Sequence, residues 1–404
     1  MYDIIIIGGG IAGLATAIRF APSKKVLLLE KYSTLGGRAL TYKENGLQYE
    51  IGAGRVWHKH THVNALVKRY GLHTYPISTK SNYDDAPNQF TTLFYPILKE
   101  LLSLPAATLG KHTIQELLPP AFAPLLMMYP YRAELDMLRA DLALPLFKPN
   151  DLMGSVSDDD YYGVVEGYVA LVDGLAKDAT KAGAVIKTRY HVDDIKRIRT
   201  DLFEVTGKHG KKDNKVPFQY QAKTVIIATC RCSLSGFSVL KGLPLLKQLQ
   251  TSALCRIYAV FPTDKTKNQK KAWFHDIPKT VTANPLRYII PINAEKGLIM
   301  ISYTDGKDTD VWKSLDGDEL ETAIMAATKH QFPHKDIPKP TYLKKHMWPS
   351  GCTYWVPGDY DVKEAQAAAM NPSPNLFVVG ESVAIHQEWM ESALETVDLL
   401  PETL

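Results

Sequence analysis

The sequence has few cysteines, little net charge and no long apolar run, and each of these shortages excludes a class of protein. Four cysteines in 404 residues are too few for a scaffold stabilised by disulfides. A net charge of +4 is too small, at this length, for a basic nucleic-acid-binding surface, so we expect no nucleic-acid partner. No stretch reaches the roughly 18 apolar residues that a membrane-spanning helix needs. We therefore expect no transmembrane segment.

The cysteines also bear on location and on metals. Cys230 and Cys232 are separated by one residue, which predicts that they do not form a disulfide, and a C-x-C pair without a second pair or a histidine cluster is a weak metal signal. We expect reduced thiols and no metal. No signal peptide precedes the first strand, so a cytoplasmic location is expected.

What the sequence does have is a dense apolar strand that runs into glycines. Ile4–Ile7 suits a strand buried on both faces of a parallel sheet. The next residues fit G-x-G-x-x-G, the turn that leads such a strand into a helix whose amino end faces a pyrophosphate. The predicted contact residues of this turn are Gly8, Gly10, Ile11, Ala12 and Gly13.

A second apolar strand ends on an acidic residue, Glu30, about 20 residues beyond the glycines. A carboxylate at that place accepts hydrogen bonds from an adenosine ribose. Glu30, with the adjacent Lys31, is therefore predicted to hold the adenosine half of a dinucleotide.

Two further short segments distinguish between dinucleotides. Gly36-Gly37-Arg38 offers a close backbone approach, at Gly37, and a guanidinium for phosphate charge. Gly52, Ala53, Gly54 and Arg55 follow a short strand, and small residues there let the backbone lie against a flat ring system.

At these residues the sequence resembles the flavin-containing amine oxidase superfamily, which also includes protoporphyrinogen oxidases and carotenoid desaturases. In that family both segments contact FAD, whereas an NAD-only domain has no need of them. The carboxyl end, NLFVVGESVAIHQEWMESALETVDLL, resembles the family's closing FAD motif. The resemblance implies cofactor contacts at Gly380, Glu381, Trp389 and Met390, and the amino end of a helix would stabilise negative charge on the flavin.

The resemblance implies an α/β fold, mixed α+β overall, in which a Rossmann-like FAD-binding domain is interleaved with a substrate lobe of antiparallel sheet and helices. Residues 1–78, 161–235 and 350–404 are assigned to the FAD-binding domain. Residues 79–160 and 236–349 are assigned to the substrate-binding domain. The residue matching Val192 meets the adenine end through its backbone. The sequence leaves a homodimer open.

Three residues are the predicted catalytic positions. Trp389 matches one wall of the aromatic pair that flanks the substrate in the family, and Tyr354 or Trp355 matches the other wall. Arg256 stands where most members have a lysine that is tied to the reaction with oxygen. Since a forked guanidinium is less able to hold a single water, we expect slower oxygen use or another electron acceptor.

The predicted function is an FAD-dependent oxidase that acts on a small-molecule amine, a monoamine or a polyamine, and on oxygen. It removes a hydride from the carbon next to nitrogen, giving an imine and hydrogen peroxide. FAD is expected to be non-covalent, because Cys352 lies closer to the following Pro-Gly than the cysteine that carries FAD in monoamine oxidases. Two alternatives stay open: a C–C desaturase or protoporphyrinogen-type oxidase, favoured by the apolar stretch LPPAFAPLLMMYPY, and a non-catalytic FAD-stabilised scaffold.

Overall fold

The computed structural model describes residues 1–78, 81–83, 95–126, 129–147, 161–211, 214–263 and 271–404. Parts of the predicted lobe segment 79–160, namely 79–80, 84–94, 127–128 and 148–160, therefore lie outside the described residues. None of the helices in the described ranges is long and apolar enough to cross a membrane.

The strands are numbered in chain order. They are β1 (Tyr2–Ile7), β2 (Val26–Glu30), β3 (Thr41–Glu44), β4 (Leu47–Glu50), β5 (Val56–Trp57), β6 (Thr74–Ile77), β7 (Asn82–Tyr83), β8 (Tyr161–Val164), β9 (Val185–Thr188), β10 (Tyr190–Arg199), β11 (Leu202–Lys211), β12 (Asn214–Ile227), β13 (Leu249–Val260), β14 (Thr280–Val281), β15 (Tyr288–Asn293), β16 (Leu298–Asp305), β17 (Tyr342–Trp355) and β18 (Leu376–Val378).

The α-helices follow the same convention. They are α1 (Ile11–Phe20), α2 (Thr61–Arg69), α3 (Tyr95–Leu101), α4 (Ala106–Leu109), α5 (Ile114–Leu117), α6 (Ala123–Leu126), α7 (Arg132–Asp136), α8 (Ala140–Ala143), α9 (Val169–Lys181), α10 (Arg231–Leu234), α11 (Leu245–Gln248), α12 (Asp310–Lys313), α13 (Gly317–Gln331), α14 (Val362–Met370) and α15 (Met390–Asp398). Short 3-10 turns lie at Pro120–Phe122, Leu144–Leu146, Ser238–Leu240, Gly306–Thr309 and Glu381–Val383.

The first sheet carries a parallel core, in the order β9-β2-β1-β12, with β18 on the far side of β12. The isoleucines of β1 are fully buried because helices cover both faces of a parallel sheet. Strands β10, β11 and the first half of β12 extend the sheet as an antiparallel meander. The carboxyl ends of β1, β2 and β18 therefore meet at one edge, where ligands of such sheets bind.

The second sheet has the order β17-β13-β16-β15-β14-β7 and is antiparallel except for the β14–β7 pair. The predicted domain cut between residues 349 and 350 lies inside β17, which pairs with β13 from Tyr342 to Trp355. One continuous strand therefore connects the second sheet to the segment assigned to the FAD-binding domain.

Two smaller sheets and a group of short helices complete the described fold. Strands β3 and β4 form a hairpin, and β8 pairs with both β5 and β6. The short helices between residues 95 and 147 bury their own apolar cluster, against which Tyr354 and Cys352 of β17 pack. The short helices therefore lie next to the carboxyl end of β17.

The prediction about the cysteine pair is contradicted. Cys230 and Cys232 form a disulfide, whereas Cys255 and Cys352 are free. The chain turns at Cys230, the residue that precedes α10, and the turn brings the two Cα atoms to 5.4 Å, within the usual range for a disulfide. The expectation was wrong because it considered only the spacing in the sequence and not the turn.

A buried carboxylate joins the end of the chain to α2. Glu391 of α15 accepts hydrogen bonds from the backbone N–H groups of His62 and Val63, both at 2.9 Å, and from the Thr61 hydroxyl at 3.1 Å. These N–H groups lie in the first turn of α2, where a helix has no internal acceptor for them. Glu391 therefore caps α2 from another helix.

Replacing this cap, Glu391→Ala, is expected to destabilise the protein by about 2 kcal/mol at pH 7, because two buried N–H groups lose their acceptor. Burial disfavours the charge of Glu391, but the N–H groups and His62 hold its pKa below the usual 4.5. The stabilisation is present above that value and is lost as the pH falls through the lowered pKa. Thermal melting of Glu391→Ala and of the exposed control Glu395→Ala checks this; equal melting of both variants at pH 7 would contradict the capping role.

Candidate active site

The glycine turn forms a tight cradle between β1 and α1. A Cβ atom at Gly13 would lie 2.0 Å from the Gly8 carbonyl oxygen, and Gly8 itself has φ +108°, so the turn requires glycine at both positions. Helix α1 begins after Gly10 without a side-chain cap. Its first N–H groups are therefore available to an anion.

Glu30 holds the other side of the cradle. One carboxylate oxygen accepts the Gly9 N–H at 2.7 Å, and the other accepts the Tyr32 N–H at 2.8 Å. The side chain is buried and fixed, which presents the remaining lone pairs of its oxygens beside the turn. This is the placement that the sequence predicted for a ribose contact.

Backbone hydrogen bonds join the Gly36–Arg38 segment to the glycine turn and to the Gly52–Arg55 segment. The Gly36 N–H donates to the Gly9 carbonyl at 2.9 Å, and the Ala53 N–H donates to the Arg38 carbonyl at 2.8 Å. A Cβ atom at Gly52 would lie 1.8 Å from that same Arg38 oxygen. The three amino-terminal segments thus form one continuous backbone surface.

An ion pair joins this surface to the carboxyl-terminal motif. The Arg38 guanidinium lies 2.8 Å from the Glu381 carboxylate and donates to the Gly351 carbonyl at 3.0 Å. Burial disfavours the charge of Arg38, but Glu381 holds its pKa above the usual value. Glu381 also accepts the Thr353 N–H at 2.9 Å, so one carboxylate ties the closing motif to both Arg38 and β17.

These residues fit an adenine dinucleotide. The Thr229 hydroxyl is buried next to Gly8 and has no hydrogen-bond partner among the described residues. Together with the uncapped start of α1, it leaves polar groups for a phosphate to satisfy. The backbone of Gly52, Ala53 and Gly54 would lie along a ring system, as the sequence predicted.

The remaining predicted cofactor residues lie around this cradle. Val192 is buried on β10, and Met390 is the first residue of α15. Lys31 is exposed, with its ammonium 4.7 Å from the centre of the Tyr32 ring. Their contacts with FAD stay predictions.

Trp389 lies at the start of α15 among rings from distant segments. Its ring is parallel to that of Tyr161, with centroids 6.1 Å apart and an interplanar angle of 11°. The His60 ring meets it edge-on at 4.8 Å. Tyr161 and His60 were not selected from the sequence, because neither lies near a recognisable motif.

The predicted partners of Trp389 are placed differently from their expected position. Tyr354 is 1% exposed, packs against the short helices, and donates its hydroxyl to Glu388. Trp355 is fully buried in the core of the first sheet and donates to the Ala384 carbonyl at 2.8 Å. Among the described residues the ring parallel to Trp389 belongs to Tyr161, so a wall role for Tyr354 stays a prediction.

Arg55 points into the same group of aromatic rings. Its guanidinium lies 4.4 Å from the Tyr161 ring centre, 5.6 Å from that of Trp389 and 5.9 Å from that of Tyr131. No hydrogen bond to Arg55 is found among the described residues. Burial opposes its charge, yet the neighbouring tyrosine hydroxyls raise the pKa of Arg55, so it stays a cation.

Arg256 lies on β13 against the cofactor segment. A Cβ atom at Gly54 would be 3.1 Å from its guanidinium, which donates to the Glu50 carbonyl at 3.0 Å and lies 5.2 Å from the Tyr303 ring centre. Its Nε is buried without a partner in the described part of the chain. The sequence therefore selected a residue that does contact the predicted flavin segment.

Three carboxyl groups, of which Glu134 and Asp305 are buried and Glu388 is partly buried, lie near Trp389. Glu388 directly precedes it, Glu134 is on α7, and Asp305 ends β16. Burial raises the pKa of Glu388 to about 7 and that of Asp305 to about 8, and it raises the pKa of Glu134 as well. None of the three was predicted, because they come from segments that only the fold brings together.

The cradle of the glycine turn and Glu30 is typical of dinucleotide-binding proteins. The chain belongs to the FAD dependent oxidoreductase family, which matches residues 3–386. It is therefore an FAD-dependent oxidoreductase, and the predicted enzyme class and the predicted FAD cofactor are confirmed.

Two solved structures have a similar fold. Putrescine oxidase bound to putrescine superposes with a TM-score of 0.73 at 16% identity, over 98% of this chain and 97% of that one. Cyclohexylamine oxidase from Brevibacterium oxydans IH-35A gives a TM-score of 0.71 at 18% identity over the same shares. The predicted fold class and the resemblance to flavin-containing amine oxidases are confirmed.

The relatives with similar sequences match either over a short part of this chain or over most of it at low identity. Nicotine dehydrogenase from Pseudomonas putida is 44% identical over 73 residues, which are 18% of this chain and 15% of that protein. (S)-6-hydroxynicotine oxidase from Paenarthrobacter nicotinovorans is 43% identical over 79 residues, 18% of this chain and 19% of its own length. L-amino acid oxidase Cdc18 from Crotalus durissus cumanensis is 21% identical over 97% of this chain and 88% of its own. The alignments with the first two thus span less than a fifth of each relative.

Replacing the ribose candidate, Glu30→Ala, is expected to weaken FAD binding at least tenfold. The change removes the acceptor of two N–H groups and a carboxylate contact, and hydrogen bonds to a charged group contribute about 1.5–3 kcal/mol each. Equilibrium binding of FAD to the apoprotein, followed by flavin fluorescence, measures this. Exposed Glu402→Ala is the control, and equal affinity of the two variants would contradict the assignment.

Proposed function

We propose that this protein oxidises the carbon–nitrogen bond of a small amine, with oxygen as the terminal acceptor. The reaction is R-CH2-NH2 + O2 → R-CH=NH + H2O2, and the imine then hydrolyses in water. FAD, when bound, takes the hydride equivalent from the carbon next to nitrogen. The observation that carries the proposal is the parallel pair of Trp389 and Tyr161 beside the predicted flavin segment.

The protein's own residues would position the amine and select its neutral form. Parallel aromatic faces hold a substrate by its apolar body, and the low polarity between them disfavours an ammonium ion. Tyr131 adds a third ring, which meets the Tyr303 ring edge-on at 5.9 Å. The names of the structural neighbours, putrescine oxidase and cyclohexylamine oxidase, agree with a small amine as substrate.

The cofactor contacts form part of the same proposal. The glycine turn and Glu30 would hold the adenosine and pyrophosphate, and Arg38 with Glu381 would hold the central part of FAD. FAD would be held without a covalent link, because Cys352 lies closer to the following Pro-Gly than the cysteine that carries FAD in monoamine oxidases. Arg256 next to Gly54 would keep a fixed positive charge at the ring system, where most of the family has lysine.

The test is anaerobic mixing of the holoenzyme with a panel of amines: a primary monoamine, a diamine, a polyamine and amino acids. We expect at least one amine to bleach the visible flavin absorbance, and air to restore it with one peroxide per cycle. If dithionite bleaches the flavin and no amine does, the proposal fails. Bleaching by a porphyrinogen or a polyene alone would favour the desaturase class.

A second candidate function, oxidation of an amino acid, is favoured by Arg55. Arg55 is partly buried among aromatic rings, and no hydrogen-bond acceptor for it is found among the described residues, so its N–H groups are open to a ligand. The carboxylate of an amino acid would supply a bidentate partner for it. The distant similarity to an L-amino acid oxidase over 97% of this chain agrees with that reading.

Replacing this cation, Arg55→Met, separates the two candidates. If the substrate is an amino acid, KM should rise about 10–100-fold, since a charge-assisted contact of roughly 1.5–3 kcal/mol is lost. If the substrate is a plain amine, KM should change by less than about threefold. Steady-state kinetics on both substrate types measures this, and Arg69→Met, at an exposed arginine of α2, is the control.

A further inference from the structure

Two carboxyl groups meet behind Trp389 in an arrangement that the cofactor site does not need. Glu388 has φ +77°, a left-handed conformation that is unfavourable for a residue other than glycine. The conformation is held by the Tyr354 hydroxyl, which donates to the Glu388 carboxylate, and by the Glu388 N–H, which donates to Glu381 at 3.3 Å.

The two carboxyls lie within hydrogen-bonding reach of each other. Glu134 is 8% exposed and accepts the Tyr129 hydroxyl. Burial, and then the negative charge of Glu388, raises the pKa of Glu134, and two carboxyl groups in such contact favour the state with one shared proton. The Glu388–Glu134 pair can therefore take up and release a proton next to the predicted aromatic walls.

An amine substrate arrives as an ammonium ion and must lose a proton before its carbon can give up a hydride. The other groups around the rings are poor acceptors of that proton. Arg55 is a cation, and burial raises the pKa of the Tyr131 hydroxyl, which therefore stays protonated. His60 accepts the Trp57 N–H on its Nδ1 and meets Trp389 edge-on.

We infer that Glu388 accepts the ammonium proton of the bound amine and that Glu134 shares it. The inference rests on the proposed function. One N–H bond of the ammonium breaks, its electron pair stays on nitrogen, and an O–H bond forms on Glu388. The pair then carries two protons and no charge, no electron leaves the amine in this step, and the proton returns to water after the product has gone.

The charges around the pair agree with this role. The groups that face Glu388 and Glu134 from the surrounding elements are Arg55, Tyr131, Asp305, Cys352, Tyr354 and Glu381. Burial, followed by the effect of Glu381, raises the pKa of Glu388 to about 7 against the opposing hydrogen bond from Tyr354. An acid with that pKa accepts a proton from an ammonium ion and releases it again near neutral pH.

The test uses Glu388→Gln holoenzyme and an amine that bleaches the wild-type flavin. In the wild type, the rate constant of anaerobic flavin reduction should rise with pH through an apparent pKa near 7. In Glu388→Gln it should be about 100-fold lower at pH 7.5 and should recover only toward roughly pH 10, where an alkylammonium ion loses its proton by itself. Glu395→Gln, at an exposed glutamate of α15, should behave as the wild type.

A second readout does not depend on turnover. An amine with no hydrogen on the carbon next to nitrogen, tert-butylamine, binds without being oxidised. Binding to the wild type should release no proton into the buffer, because the pair keeps it. Calorimetry in two buffers of different ionisation enthalpy should show proton release close to one per amine in Glu388→Gln if the amine still binds in its neutral form.

Glu134→Gln keeps the test valid if Glu388→Gln does not retain FAD. The amide still donates a hydrogen bond to Glu388 but removes the like charge, so the apparent pKa of flavin reduction should move to lower pH. The inference is overturned if the variants keep the wild-type pH profile, or if the rate falls by the same factor at every pH. Failure of every amine to bleach the wild-type flavin would instead overturn the proposed function.

Discussion

The site depends on one ion pair between the two ends of the chain. Arg38 comes from the second glycine segment and Glu381 from the closing motif, and their side chains meet at 2.8 Å beside the predicted cofactor segments. Glu381 is buried and Arg38 is partly buried, so each charge is stabilised by the other. Because the Arg38 carbonyl also holds Ala53, and Glu381 also holds Thr353 of β17, the pair joins the predicted cofactor segments to the edge of the second sheet.

The same arrangement explains why acidic groups collect behind Trp389. Glu381 is held by Arg38 and by the N–H groups of Thr353 and Glu388, and its negative charge adds to burial in raising the pKa of Glu388. The Asp305 carboxylate accepts a hydrogen bond from the backbone N–H of Arg132, the first residue of α7. This contact anchors α7, which carries Glu134 near Glu388. The carboxyl pair is thus a consequence of how α7 and the closing motif are anchored, and its shared proton follows from burial.

The sequence allowed a good prediction where function depends on local backbone geometry. Gly8, Gly13 and Glu30 form a pattern because a tight turn, a helix start and a strand end lie at fixed spacings along the chain, and the structure places them as expected. Tyr161, Glu134 and Glu388 have no such pattern. Their proximity depends on pairing across more than two hundred residues, which no local spacing encodes, and the Cys230–Cys232 disulfide was missed because a local turn overrode the apparent spacing rule.

Arg256 shows how the second sheet constrains the first. Its guanidinium shares the Glu50 carbonyl with the Tyr258 hydroxyl, and Tyr258 stacks on Tyr49 with ring centroids 3.9 Å apart. Tyr42 continues the stack at 4.8 Å. A lysine at this position could rotate about its flexible chain, whereas this planar cation is held by a carbonyl on one side and by the Tyr303 ring on another. The positive charge beside Gly54 is therefore fixed in direction as well as in position.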